Sequence, residues 1–285
     1  MAIERLGIVG SGIMGSGIAE VAAKAGADVV LRSRKQETAD AMVVGLDKSL
    51  SRQVERGRLE EAEAAAVRRR VSATADLEAL ADCDLVLESV VEDLPVKKQL
   101  FVELDRIVKD GAILATNTST LPVVEMAVET ARPERVVGIH FFNPAPAMAL
   151  VEVVRTLVSS AETVDEAVAF ASRCGKEPVV VEDRAGFIVN ALLFPYLNNA
   201  VRMLENRTAS RDDIDAAMKG GCNFPMGPLA LLDLVGLDTS VAILDALYAE
   251  FRDPNYAAVP LLRRMVAAGH LGRKSNQGFY DYARK

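Results

Sequence analysis

Cysteine is scarce in this chain: Cys83, Cys174 and Cys222 are three, an odd number with no close pair. That argues against a disulfide framework or a cysteine-based zinc site, and a reducing, cytoplasmic compartment is expected. Positive charge is in deficit, with 33 Lys and Arg against 40 Asp and Glu and a net charge of −7, so the overall field offers nucleic acid no sequence-independent grip. Long apolar runs are missing as well. The longest stretch free of formal charge, residues 185–201, carries Asn190, Pro195, Asn198 and Asn199. It is too short and too polar for a bilayer span and reads as a buried helix, so no membrane partner is expected. The first residues run straight into an apolar segment closed by glycines rather than into a leader with a small-residue cleavage site, and no secretory signal is expected. Neither an internal repeat at a solenoid period nor a low-complexity tract is present.

What the chain does have is apolar material, 50% of 285 residues, enough for a substantial core in one large or two ordinary domains. Residues 3–182 alternate short apolar runs with longer amphipathic stretches, the signature of βαβ units around a parallel sheet. The runs fall at 3–9, 28–31, 84–88, 112–115, 136–140, 150–154 and 178–181. Residues 36–70, rich in Ala, Leu, Glu, Arg and Lys with a break at Gly57, read as two helices. After Arg184 the strand signal stops. Residues 186–206, 210–219, 228–252 and 259–268 read as helices separated by Gly, Pro and Asn, with Ser210 as an N-cap ahead of Asp212 and Asp213. The expectation is an α/β N-terminal domain over residues 1–184 and an all-α domain over 185–285.

Gly10, Ser11, Gly12, Ile13, Met14 and Gly15 form a GxGxxG run directly after the apolar residues 6–9 and directly before a helical pattern. In that context Gly10 permits the tight turn, Gly12 lets the backbone approach a pyrophosphate, Gly15 allows close helix–strand packing, and the helix N-terminus faces the anion. A nicotinamide dinucleotide is therefore expected. The acid that bonds the ribose of NAD belongs at the end of the second strand, where this chain has Ser33. Arg32, Arg34 and Lys35 flank it, so a 2′-phosphate meets cations and a hydroxyl instead of a repelling carboxylate, which favours NADP. The same four residues also read as a solvated basic turn.

A second constellation lies at the far end of the expected sheet. Asn117, Thr118, Ser119 and Thr120 follow one strand, and His140 to Pro144 follow the next, both where open α/β sheets bind ligands. His140 and His270 are the only two histidines. Glu152 sits in the otherwise apolar run 150–154 and needs a partner, which an adjacent antiparallel strand brings as His140. Asn190 is similarly isolated among apolar residues. Each of these also reads as a core polar group satisfied locally. No metal site is expected.

Taken together, these motifs resemble the L-3-hydroxyacyl-CoA dehydrogenase family, and within it the short single-chain bacterial members. The resemblance runs over essentially the whole chain, adding residues 88–94, 186–190, 225–228, 233–238 and 278–280 to the runs above. It implies a Rossmann-type N-terminal domain, an all-α C-terminal domain that pairs two subunits as a homodimer, and an acyl-CoA substrate of short chain. It assigns His140 as catalytic base, Glu152 as the group that orients it, and Ser119 and Asn190 as hydrogen-bond partners of the reacting oxygen. Glu92, Lys97, Asn143 and Lys274 are implied around the cofactor, and Ser49 and Arg56 at the CoA end. Spacing adds Arg52, since Ser49, Arg52 and Arg56 stand at i, i+3 and i+7 and share a helix face suited to a phosphate, although a solvated face is the commoner meaning of a charged helix. Two positions depart from the pattern: lysine is usual where Arg56 stands, and NAD-using members carry an acid where Ser33 stands. The rival readings are a related dehydrogenase of a hydroxyacyl-carrier protein or a sugar acid, and a cofactor-binding relative without turnover.

Overall fold

Runs of Val, Leu and Ile without polar alternation belong to strands covered on both faces, and here they become the middle of one sheet. The structure is a computed structural model describing residues 3–283, and the chain divides into two compact units, Met1–Asp183 and Arg184–Lys285. The first unit runs β1 (Arg5–Val9), α1 (Ile13–Lys24), β2 (Asp28–Arg32), α2 (Gln36–Glu55), α3 (Glu61–Arg69), β3 (Val71–Thr74), β4 (Leu85–Glu88), α4 (Leu94–Ile107), β5 (Ile113–Thr116), α5 (Val123–Ala127), β6 (Val136–Phe141), β7 (Leu150–Arg155), α6 (Ala161–Arg173) and β8 (Glu177–Glu182).

The strands form one sheet in the order β3-β2-β1-β4-β5-β6-β7-β8. From β3 through β6 every pair is parallel; β7 is antiparallel to β6 and parallel to β8. Order 3-2-1-4-5-6 is that of a doubly wound dinucleotide-binding sheet, whose ligand crevice opens beyond the strand C-termini at the β1/β4 reversal. Leu6, Ile8, Leu85, Leu87 and Ile113 from the strands pack with Ile18, Leu46 and Phe170 from the helices in its core.

The second unit is helical: α7 (Val189–Glu205), α8 (Arg211–Cys222), α9 (Pro228–Val235), α10 (Leu237–Phe251) and α11 (Pro260–Ala267). Phe194, Leu197, Leu229, Leu232, Leu244 and Leu262 fill its core, and buried polar groups pin it. Asn198 donates from Nδ2 to the carbonyl of Ala257 at 2.8 Å and accepts from the amide of Val259 at 3.1 Å. Asp215 accepts from the amides of Leu229 and Ala230 and from the Tyr280 hydroxyl, at 2.8, 3.0 and 2.9 Å. Asp233 accepts from the amides of Phe279 and Tyr280, both at 2.9 Å, and from the Tyr282 hydroxyl at 3.1 Å. Burial pushes the Asp233 carboxyl above the usual carboxylate range even so.

Two expectations need correction. Strand β3, Val71–Thr74, follows α3 almost without a gap; as an edge strand paired only with β2 it buries little and needs no apolar run. Residues 228–252 are two helices, because Gly236 at φ 103° interrupts the ladder between Val235 and Leu237. Ser210 caps α8 as expected, its hydroxyl accepting from the amide of Asp213 at 3.2 Å. Among the described residues no helix is long and apolar enough to cross a membrane.

Candidate active site

The glycine loop is built for close approach. Gly10 has φ 136°, and a Cβ there would lie 2.2 Å from the Ser89 carbonyl oxygen. A Cβ on Gly15 would lie 2.6 Å from the Gly10 carbonyl oxygen, whereas one on Gly12 meets nothing within 4 Å. Gly12 therefore borders open space at the start of α1, whose first turn holds no acidic residue and no side-chain cap. An anion suits that end. Ile13 is exposed, and Met14 is a packing residue set against the core.

A cavity of about 710 Å³ opens beside this loop, lined by Gly10, Ser11 and Gly12, by Arg32, Ser33 and Arg34, and by Ser89, Val90, Gln99 and Glu103 among others. The Ser33 hydroxyl is 2.5 Å from that of Thr38. Arg32 donates from Nε to the carbonyl of Ala75 at 3.3 Å; burial lowers its guanidinium pKa, opposed by Glu103 across the cavity and assisted by Arg34. Two guanidiniums against one carboxylate leave the cavity wall net positive. Lys35 stands apart as the exposed N-cap residue of α2. Volume and open Gly12 fit a dinucleotide.

The antiparallel pairing of β6 with β7 sets His140 directly opposite Glu152. His140 Nδ1 lies 2.8 Å from Glu152 Oε2, and both side chains are buried. A carboxylate only accepts, so Nδ1 carries the proton and Nε2 is left as an acceptor in the neutral ring. Ser119 Oγ stands 3.1 Å from that Nε2. Asn117 holds the end of β6 in place by accepting from the amide of Phe141 at 2.8 Å. Glu92 organises the turn that carries Ser119: its Oε1 accepts from the Thr118 hydroxyl at 2.5 Å and from the amides of Ser119 and Thr120 at 3.0 and 3.3 Å. Ser119, His140, Glu152 and Glu92 are thus brought together, and Lys97 Nζ lies 3.3 Å from Glu92 Oε2.

The remaining expected residues differ in exposure and in partners. Asn143 is exposed. Asn190 is buried in the first turn of α7, and Lys274 pairs with Asp238 at 2.5 Å, both in the helical unit. Ser49 Oγ donates to Glu20 at 2.6 Å, while Arg52 is exposed and Arg56, the C-cap of α2 rather than a helix-interior residue, is exposed beyond it. Cys83 and Cys174 are held inert, burial pushing each thiol up to about 11. Sequence reasoning passed over Glu88, a fully buried carboxylate in the apolar strand β4, although the argument that singled out Glu152 applies to it unchanged. It also passed over Thr116, whose hydroxyl donates to Glu88 Oε2 at 2.8 Å.

Comparison with known proteins identifies the family. Residues 5–184 match the family described as 3-hydroxyacyl-CoA dehydrogenase, NAD binding domain, and residues 186–282 the corresponding C-terminal domain. A 3-hydroxybutyryl-CoA dehydrogenase of Mycobacterium tuberculosis is 49% identical over 99% of both chains, and one of Clostridioides difficile is 47% identical over 98% of this chain and 99% of its own. The crystal structure of (S)-3-hydroxybutyryl-CoA dehydrogenase from Ralstonia eutropha superposes with a TM-score of 0.96 at 40% identity, covering 99% of this chain and all of the other. Matched by both domain models along nearly its whole length and by full-length relatives, this chain belongs to the 3-hydroxyacyl-CoA dehydrogenase family.

Proposed function

We propose that the chain oxidises the 3-hydroxyl of short (S)-3-hydroxyacyl-CoA thioesters, chiefly 3-hydroxybutyryl-CoA, and reduces acetoacetyl-CoA in reverse, with NADP preferred over NAD. The observation that carries the reading is His140, whose ring is hydrogen-bonded on one side to Glu152 and on the other to Ser119. Loss of hydride from a carbinol carbon requires removal of the hydroxyl proton, and Nε2 is the acceptor that takes it. Glu152 then stabilises the imidazolium, and in the reductive direction the same nitrogen returns the proton to the ketone oxygen. Ser119 Oγ, 3.1 Å from that nitrogen, is the neighbouring group that hydrogen-bonds the reacting oxygen and steadies the charge that develops on it. Asn190 enters through the family likeness as a further donor to that oxygen. A bound nicotinamide supplies the hydride acceptor or donor.

The cofactor preference rests on Arg32 and Arg34 in the cavity lining and on Ser33 where an acid would repel a 2′-phosphate. Gly10 to Gly15, Glu92, Asn143 and Lys274 complete the proposed cofactor set, and Arg52 and Arg56 with Ser49 the CoA end. Exposed Phe224 and Leu234 in the helical unit support pairing of two copies through that unit, and the free thiols support a reducing, cytoplasmic setting. Initial rates of acetoacetyl-CoA reduction with NADPH and NADH in parallel test the reading. Rapid turnover with NADPH and slow turnover with NADH is expected; faster turnover with NADH discards the cofactor preference, and none with either discards the reaction.

A further inference from the structure

We propose that Glu88 and Lys97 are positioning residues: their buried ion pair holds Glu92, and through it the turn that presents Ser119 to His140. This rests on the functional reading above and gives Lys97 a task other than touching the cofactor. Lys97 Nζ lies 2.7 and 2.9 Å from the two oxygens of Glu88 and 3.3 Å from Glu92 Oε2, three carboxylate oxygens for three ammonium protons. Both members of the pair are at most 1% exposed. Glu92 is thereby divided, Oε2 on the ammonium and Oε1 on the hydroxyl and amides of residues 118–120.

Glu88 reaches the same turn by a second route. Its Oε2 accepts from the Thr116 hydroxyl at 2.8 Å, and that hydroxyl accepts from the amide of Thr118 at 3.1 Å. Its Oε1 also accepts from the amide of Val90 at 2.6 Å, so its position on the sheet is fixed independently of the turn. A buried ion pair gains little stability over apolar residues of the same shape, whereas a reacting hydroxyl misplaced by about 1 Å costs about 100-fold in rate. The network joins sheet to turn at the place where such precision matters.

The test is the double variant Glu88→Gln with Lys97→Met, which removes both charges together so that neither is left buried alone. Its first readout is ¹⁵N NMR of the histidine rings, of which the chain has two. The His140 Nε2 signal is expected to move toward its position in Ser119→Ala while His270 stays unchanged. The second readout is kinetic: kcat for acetoacetyl-CoA is expected to fall about 10- to 100-fold while the NADPH dissociation constant rises by a smaller factor. A folded double variant with an unmoved His140 signal and unchanged kcat overturns the proposal, and so does a fall in kcat and cofactor affinity with the His140 signal unmoved, since the pair then serves the cofactor and not the turn. Should the double variant fail to fold, Thr116→Val, which removes only the hydroxyl between Glu88 and Thr118, carries the same two measurements. If the wild-type chain turns over no acyl-CoA, the functional reading falls, yet the NMR comparison still decides the positioning.

Discussion

Ser49 on α2 donates its hydroxyl to Glu20 on α1 at 2.6 Å, across a sequence separation of 29. Its one proton is therefore committed to a buried carboxylate, and of the residues expected at the CoA end only Arg52 and Arg56 have cationic groups facing solvent. Arg56→Ala is expected to raise the Michaelis constant for acetoacetyl-CoA about tenfold with kcat little changed, the loss of one charge-assisted phosphate contact. Ser49→Ala is expected to cost about 1 kcal/mol of stability and to change that constant less than Arg56→Ala does. Steady-state kinetics beside thermal melts separate the two; the reverse ranking returns Ser49 to direct substrate contact.

Acid sensitivity follows from the same cluster. Burial pushes the Glu20 carboxyl up, but hydrogen bonds from Lys24, Ser49 and Gln53 and the Lys24 charge outweigh it and hold the group below its usual 4.5. The folded protein thus binds this proton more weakly than the unfolded chain does. The stabilisation is complete above about pH 4.5 and is lost as pH falls through the lower folded value. Glu20→Gln is expected to be less stable than wild type at pH 7, with the gap narrowing on acidification below pH 4.5. Melting curves of the two proteins that stay parallel across that range contradict the assignment.

Introducing an acid at the ribose position tests the cofactor reading. Ser33→Asp places a carboxylate where a 2′-phosphate is proposed to lie, beside Arg32 and Arg34. It is expected to lower kcat/KM for NADPH about 10- to 100-fold while NADH gains or holds. An equal loss for both cofactors points to damage to the Ser33–Thr38 contact instead.

Glu152→Gln keeps the shape of its side chain but can donate to Nδ1, so the proton moves to Nε2 and the acceptor is lost. A loss of about 100- to 10,000-fold in kcat is expected, with cofactor affinity retained. His140→Gln should lose a comparable factor, and a double variant no slower than either single one would show the pair acting as a unit.

Legibility from sequence followed the strength of the local signal. The central strands carry unbroken apolar runs, and a carboxylate among the apolar residues of β7 pointed to His140 before the strand pairing was known. Strand β3 has the composition of a loop, because an edge strand beside one neighbour needs no second covered face. Gly236 was hidden inside an otherwise continuous helical pattern, since its backbone angle and not its spacing makes the break. Thr116 as a partner of Glu88 and Glu20 as the partner of Ser49 come from elements 28 and 29 residues away; no periodicity reports such pairings, and only the topology brings them within reach.

The acids that knit the helical unit have a temporal consequence. Asp233 precedes Phe279 by 46 residues, and Asp215 precedes Tyr280 by 65. During synthesis Asp215 meets the amides of Leu229 and Ala230 as α9 forms, but Asp233 is made well before the segment that satisfies it and remains hydrated while α10 and α11 are being laid down. The unit is built of local helices, yet closing its polar interior is a long-range event, and a nascent chain that stalls before residues 279–282 emerge presents helices without their final lock.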